Sequence, residues 1–100
     1  MTASIRFGTD GVRGLVGQWP IDAAGAEHIG RGIGSWTRGG RVLVGRDTRA
    51  SGPELQAHLT NGMVACGSEV IDLGVLPTAA VSAAVDADPD AVAGVMMTAS

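Results

Sequence analysis

Three short apolar runs, RVLVGRD (Arg41–Asp47), EVIDLG (Glu69–Gly74) and AVAGVMM (Ala91–Met97), alternate with longer stretches of helical spacing. Runs of this kind suit single buried strands. Their alternation with helices over short connections predicts an α/β fold. The reading is a single layered domain with a mostly parallel mixed sheet flanked by helices. The segment before Asp22 is a candidate for one added antiparallel strand.

The helices have recognisable ends. From Asp22 to about Thr37, the apolar residues Ile29, Ile33 and Trp36 follow helical spacing, with Ile21 just before. Gly25, Gly30, Gly32 and Gly34 fall inside this stretch, and an interior helical glycine costs about 1 kcal/mol relative to alanine. Such a helix is expected to persist by packing closely on a sheet, and Gly39-Gly40 to end it. Ser51 and Glu54 have the spacing of a capping box, with Pro53 in the first turn. Behind them Leu55, Leu59, Met63 and Cys66 line one face, and Gly67 is placed to stop the helix. Pro77-Thr78 opens a third, alanine-rich helix through about Val85, with Thr78 as the expected N-cap.

Composition narrows the function. The chain has 100 residues, 45% hydrophobic and 17% charged, which fits one globular domain without repeats or low-complexity tracts. Its formal net charge of −3 argues against nucleic-acid binding. All seven basic residues are Arg, a side chain suited to two-pronged contacts with phosphate or carboxylate. The lone Cys66 gives no disulfide framework and reads as a packed thiol. His28 and His58 have no partner at metal-ligand spacing. Asp86, Asp88 and Asp90 read as a solvated turn. The opening MTASIRFGTDG lacks a signal-peptide pattern, and no apolar stretch approaches the ~20 residues of a membrane span. A cytoplasmic location without membrane association is the expectation.

Ligands of open α/β sheets gather outside the carboxyl ends of the strands. Three segments fall there: GRDTRASG, GVLPT and TAS, the last containing Ser100. In GRDTRASG, Asp47 is expected to pair with an Arg and fix the loop, with a phosphate contact by Arg46 or Arg49 as the alternative. Near the start, FGTDGVRG (Phe7–Gly14) places glycines where main-chain N–H groups can approach an anion, and Arg13 where it can grip phosphate oxygens. Thr9, Gly11, Arg13 and Gly14 are the candidate phosphate contacts. A glycine-rich turn held by Asp10, with Arg13 exposed, is the competing reading.

Taken together and in order, FGTDGVRG, VLVGRDTRASG, DLGVLPT and GVMMTAS resemble the first domain of the α-D-phosphohexomutases, across essentially the whole chain. The Phe7-Gly8-Thr9-Asp10 start and VRGLVG favour the glucosamine-phosphate members over those acting on mannose or glucose phosphates. The resemblance implies a four-domain enzyme with its active site in a central cleft, of which residues 1–100 are the first domain. It places a phosphoryl group on Ser100 and sets Arg13, with its glycine-rich turn, beside it as catalytic partners. It implies one Mg2+ per active site, bound to Ser100 through its phosphate and to aspartates of a second domain. The implied substrate is a hexosamine phosphate, converted between its 6- and 1-phosphates through a bisphosphate, with a separate general base taking the sugar proton.

Several family features do not occur here. His-Asn-Pro after the serine, a lysine shortly downstream and the D-G-D-x-D-R loop are missing, and Pro77-Thr78-Ala79 stands where P-T-P is common. These departures predict a fragment that is inactive by itself, that needs the remaining domains as partners, and that self-associates when expressed alone. A non-catalytic α/β module binding a phosphorylated ligand is the alternative outside the enzyme class.

Overall fold

β-branched and aliphatic residues form the strands where the sequence concentrates them, and capping residues set the helix limits. The structure, a computed structural model, describes residue 18 and residues 21–48 and 52–98. Its elements run α1 (Ala23–Trp36), β1 (Arg41–Arg46), α2 (Gly52–Ala65), β2 (Glu69–Val75), α3 (Thr78–Ala87) and β3 (Ala91–Met97). The proposed N-terminal antiparallel strand and Ser51 of the capping box lie outside the described residues.

Asp22 caps α1 with extended backbone, its carboxylate accepting the Gly25 N–H at 2.8 Å. At the other end the Thr37 hydroxyl donates to the Ile33 carbonyl at 2.8 Å. Arg38 and Gly39 then take positive φ, 55° and 73°, and turn the chain into β1. Glu54 sits in the first turn of α2, where the helix dipole favours an acid. Gly67, at φ 88°, stops α2, and the Ser68 N–H returns to the Met63 carbonyl at 3.1 Å. The cap of α3 is Pro77, not Thr78. Pro77 holds φ −68° and ψ 155°, makes no side-chain cap bond, and its carbonyl accepts from Ala80 and Val81. Thr78 is therefore already helical. α3 outlasts Val85 and stops at Asp88, which Pro89 biases out of the helical region.

The described strands form one parallel sheet in the order β2-β1-β3. Arg41 pairs with Glu69 and Ala91, and Arg46 with Val75 and Met97, so the strands start and stop together. Val42 and Val44 point to one face, where they meet Ala26, Leu59 and Met63 in the main core. Leu43 is buried on the opposite face, and beside it Gly45 and Gly94 lie against Val81 and Val85 of α3. α2 and α3 thus cover opposite faces. That is the arrangement right-handed crossovers give when successive connections run in opposite directions across a sheet.

α1 departs from expectation in its partner. Gly30 and Gly34 pack on α2, not on the sheet. A Cβ at Gly30 would overlap the Leu59 carbonyl, one at Gly34 would meet Cys66 and Met63, and one at Gly62 of α2 would overlap the Glu27 carbonyl. The two helices lie backbone to backbone, an approach only Gly allows at those three positions. Trp36 also differs: it is 77% exposed. Gly34 already faces Cys66, one residue past the end of α2, so α1 has outrun its partner by Trp36.

Candidate active site at the carboxyl ends of the strands

Main-chain bonds hold the three strand tips side by side. The Asp47 N–H, just after β1, donates to the Met97 carbonyl at the end of β3, at 3.0 Å. The Leu76 N–H, just after β2, donates to the Arg46 carbonyl, also at 3.0 Å. The convergence expected of GRDTRASG, GVLPT and TAS is therefore present at Arg46–Thr48, Val75–Thr78 and Met97–Thr98. The crevice between β1 and β3 is where the strand order reverses, the position at which doubly wound sheets bind ligands.

On the α2 side of these tips lies a polar network that sequence reading missed. Arg46, the last residue of β1, points to the same face as Val42 and Val44 and donates to Gln56 Oε1 at 2.6 Å. Gln56 is only 6% exposed, and it also hydrogen-bonds the Asp72 side chain. Asp72 lies 4.0 Å from the Arg46 guanidinium and accepts the Gly74 N–H at 2.8 Å. The Gln56 bond, then the Gly74 N–H and the nearby Arg46 charge hold the Asp72 carboxyl below its ordinary pKa, against the opposing effect of burial. A cavity of about 380 Å³ opens beside the network, lined by Arg46, Gln56, Asp72, Pro53, Thr60 and Asn61 among others. The available signal was positional. Gln56 precedes Leu59 by one helical turn, on the buried face, and Asp72 interrupts an apolar strand.

Most residues assigned from sequence are not among the described residues. Ser100, Thr9, Gly11, Arg13 and Gly14 lie outside the described residues, as do Asp10 and Arg49. Thr98, the last described residue, precedes Ser100 by two positions. Asp47 is placed at the tip through its main chain, and Arg46 is engaged with Gln56 and Asp72. Among the described residues no group of three or more His, Cys, Asp or Glu could hold a metal ion. No helix among them is long and apolar enough to cross a membrane.

The aspartate turn is more than a solvated loop. Asp88 binds the Arg41 guanidinium through both carboxylate oxygens, at 3.0 and 3.1 Å, and Glu69 binds it from β2 at 3.0 Å. The Asp90 N–H also donates to Asp88, at 2.9 Å. That bond and Arg41 keep the Asp88 carboxyl below its usual pKa. Cys66 is a partly buried thiol accepting from the Ser35 hydroxyl at 3.6 Å, consistent with a packing role.

A parallel sheet covered by helices on both faces, its strand ends gathered at one edge, defines an α/β domain of the open-sheet class. Comparison with known proteins gives the family. Residues 4–100 match the family described as phosphoglucomutase/phosphomannomutase, alpha/beta/alpha domain I, and the chain belongs to that family. The phosphoglucosamine mutase of Thermotoga neapolitana is 43% identical over 76% of this chain and 18% of its own length. The probable phosphoglucosamine mutase of Thermococcus gammatolerans is 42% identical over 94% of this chain and 20% of its own. That of Francisella philomiragia is 43% identical over 94% of this chain and 22% of its own. The chain thus spans about a fifth of the length of these curated relatives.

Proposed function

We propose that this chain is the first, serine-bearing domain of a phosphoglucosamine mutase, interconverting glucosamine 6-phosphate and glucosamine 1-phosphate. The observation that carries the reading is the bond from Asp47 N–H to the Met97 carbonyl. It fixes β3 against β1 three residues before Ser100, at the reversal of strand order. Family membership and the relatives' names supply the chemistry.

In the proposed reaction a sugar hydroxyl oxygen bonds to the phosphorus of phospho-Ser100 as the Oγ–P bond breaks. A general base takes the hydroxyl proton, and the departing Ser100 oxygen is reprotonated. The bisphosphate turns round and returns its other phosphoryl group to Ser100 Oγ, leaving the isomeric monophosphate. Such transfer depends on alignment and charge neutralisation more than on covalent help from the protein. Arg13, with main-chain N–H groups of the Thr9–Gly14 turn, would hold the phosphate oxygens. Mg2+ would add further neutralisation when bound. The family resemblance assigns its aspartate ligands to a second domain, and no step is derived through it.

Residues 1–100 alone are expected to be inactive, because the sugar-binding part is assigned to the remaining domains. A cytoplasmic location is part of the same reading. The test is intact mass measurement and peptide mapping of the full-length protein, together with turnover of glucosamine 6-phosphate. About 80 Da, one phosphoryl group, is expected on Ser100, and Ser100→Ala is expected to lower kcat by about 10³-fold or more. An unmodified Ser100 in a fully active enzyme would overturn the proposal. Parallel assays with glucose and mannose 6-phosphates decide the sugar.

A further inference from the structure

We propose that Gln56 is a positioning residue. Through Arg46 and Asp72 it fixes the strand-tip scaffold from which the chain runs on to Ser100, so that it governs turnover without touching substrate. The inference rests on the mutase reading above. A buried amide is costly unless both its ends are bonded, and a helix face of Leu55, Leu59 and Met63 would accept an apolar residue at this position. Gln56 is bonded at both ends, to Arg46 and to Asp72.

What it holds is the exit of β1. The Arg46 side chain is tied to α2 through Gln56, and the Arg46 carbonyl accepts the Leu76 N–H. The next residue, Asp47, donates to the Met97 carbonyl, and Ser100 follows Met97 by three positions. On the other side, Asp72 fixes Gly74, whose φ of 76° marks the irregular register between β1 and β2. A continuous set of hydrogen bonds therefore runs from one buried amide to the tips of all three strands. Displacing a reacting group by about 1 Å is enough to cost up to about 100-fold in rate.

The experiment uses the full-length protein and three variants: Gln56→Met, Gln56→Glu, and Gln56→Glu combined with Asp72→Asn. Gln56→Met removes the bridge at similar volume. It is expected to lower kcat about tenfold or more while KM stays within about twofold. Peptides containing Asp47 and Leu76 should exchange amide hydrogen faster, with those containing Val42 and Val44 unchanged. Gln56→Glu faces Asp72 with a second carboxylate and should lose as much. The double variant restores an acceptor for Arg46 and a donor from position 72, so kcat should return to within about threefold of the parent. Wild-type kcat and exchange in Gln56→Met would overturn the proposal, as would a double variant no better than Gln56→Glu. Where the Met variant fails to fold, the charge-swapped pair decides. If the parent protein itself shows no mutase turnover, the functional reading falls, and the exchange measurement alone judges whether Gln56 holds the tips.

Discussion

Arg41 and Asp88 close the amino end of the sheet as Arg46, Gln56 and Asp72 organise the carboxyl end. Asp88 and Asp72 both have carboxyls held below their ordinary pKa, by Asp90 N–H and Arg41 in one case and by Gln56 and Gly74 N–H in the other. Such groups bind a proton less readily folded than unfolded. Their contribution to stability is present above the unfolded value of about 4 and is lost as pH falls through the folded value. The urea midpoint is therefore expected to drop as pH falls below about 4, and Asp88→Asn to flatten part of that slope; a parent midpoint indifferent to acid would contradict this. In the core, Met63 is fully buried between α1 and the sheet, and Met63→Ala is expected to cost about 2–5 kcal/mol by urea denaturation. Val64, its exposed neighbour, should change stability by no more than about 0.5 kcal/mol when cut to Ala.

Between elements, the contact of α1 with α2 reverses an ordinary rule. Gly→Ala inside a helix usually stabilises by about 1 kcal/mol. Gly32 has open space around its α-carbon, and Gly32→Ala should follow that rule. Gly30→Ala and Gly62→Ala would drive a methyl into the facing backbone, which cannot move aside like a side chain. Each is expected to destabilise by about 1–3 kcal/mol, and thermal melts of the three variants side by side check the contrast. Strands and the ends of α1 and α2 were legible in the residues, because β-branched runs, Gly39 and Gly67 act locally. The partner of α1 was not. A glycine-rich face reports close approach but not whether a helix or a sheet does the approaching, which depends on strand order. Thr78 was misplaced by one residue because proline can terminate an extended segment without a side-chain cap. At the site, the gathering of strand ends followed from the alternation of elements, whereas Gln56 and Asp72 are joined only once α2 lies against β2. Trp36 shares the helical spacing of Ile29 and Ile33, and its exposure reflects where the neighbouring helix stops.

At the scale of the molecule, the three described parallel strands, with helices on both faces, leave Ile71, Val75 and Val92 exposed on β2 and β3. Residues 1–100 produced alone are expected to self-associate through such surface, and light scattering that reports a clean monomer would oppose this. The relatives, about five times as long, have far more chain with which to cover it. The strand order has a further consequence during synthesis. A ribosome releases β1, α2 and β2 before β3, so the sheet can begin to assemble while its third member is still in the exit tunnel. Only when Met97 emerges can it take its hydrogen from Asp47. The tip of β3 is thus joined to a pair of strands that is already in place, and a nascent chain arrested before that moment would leave the Asp47 N–H without this acceptor.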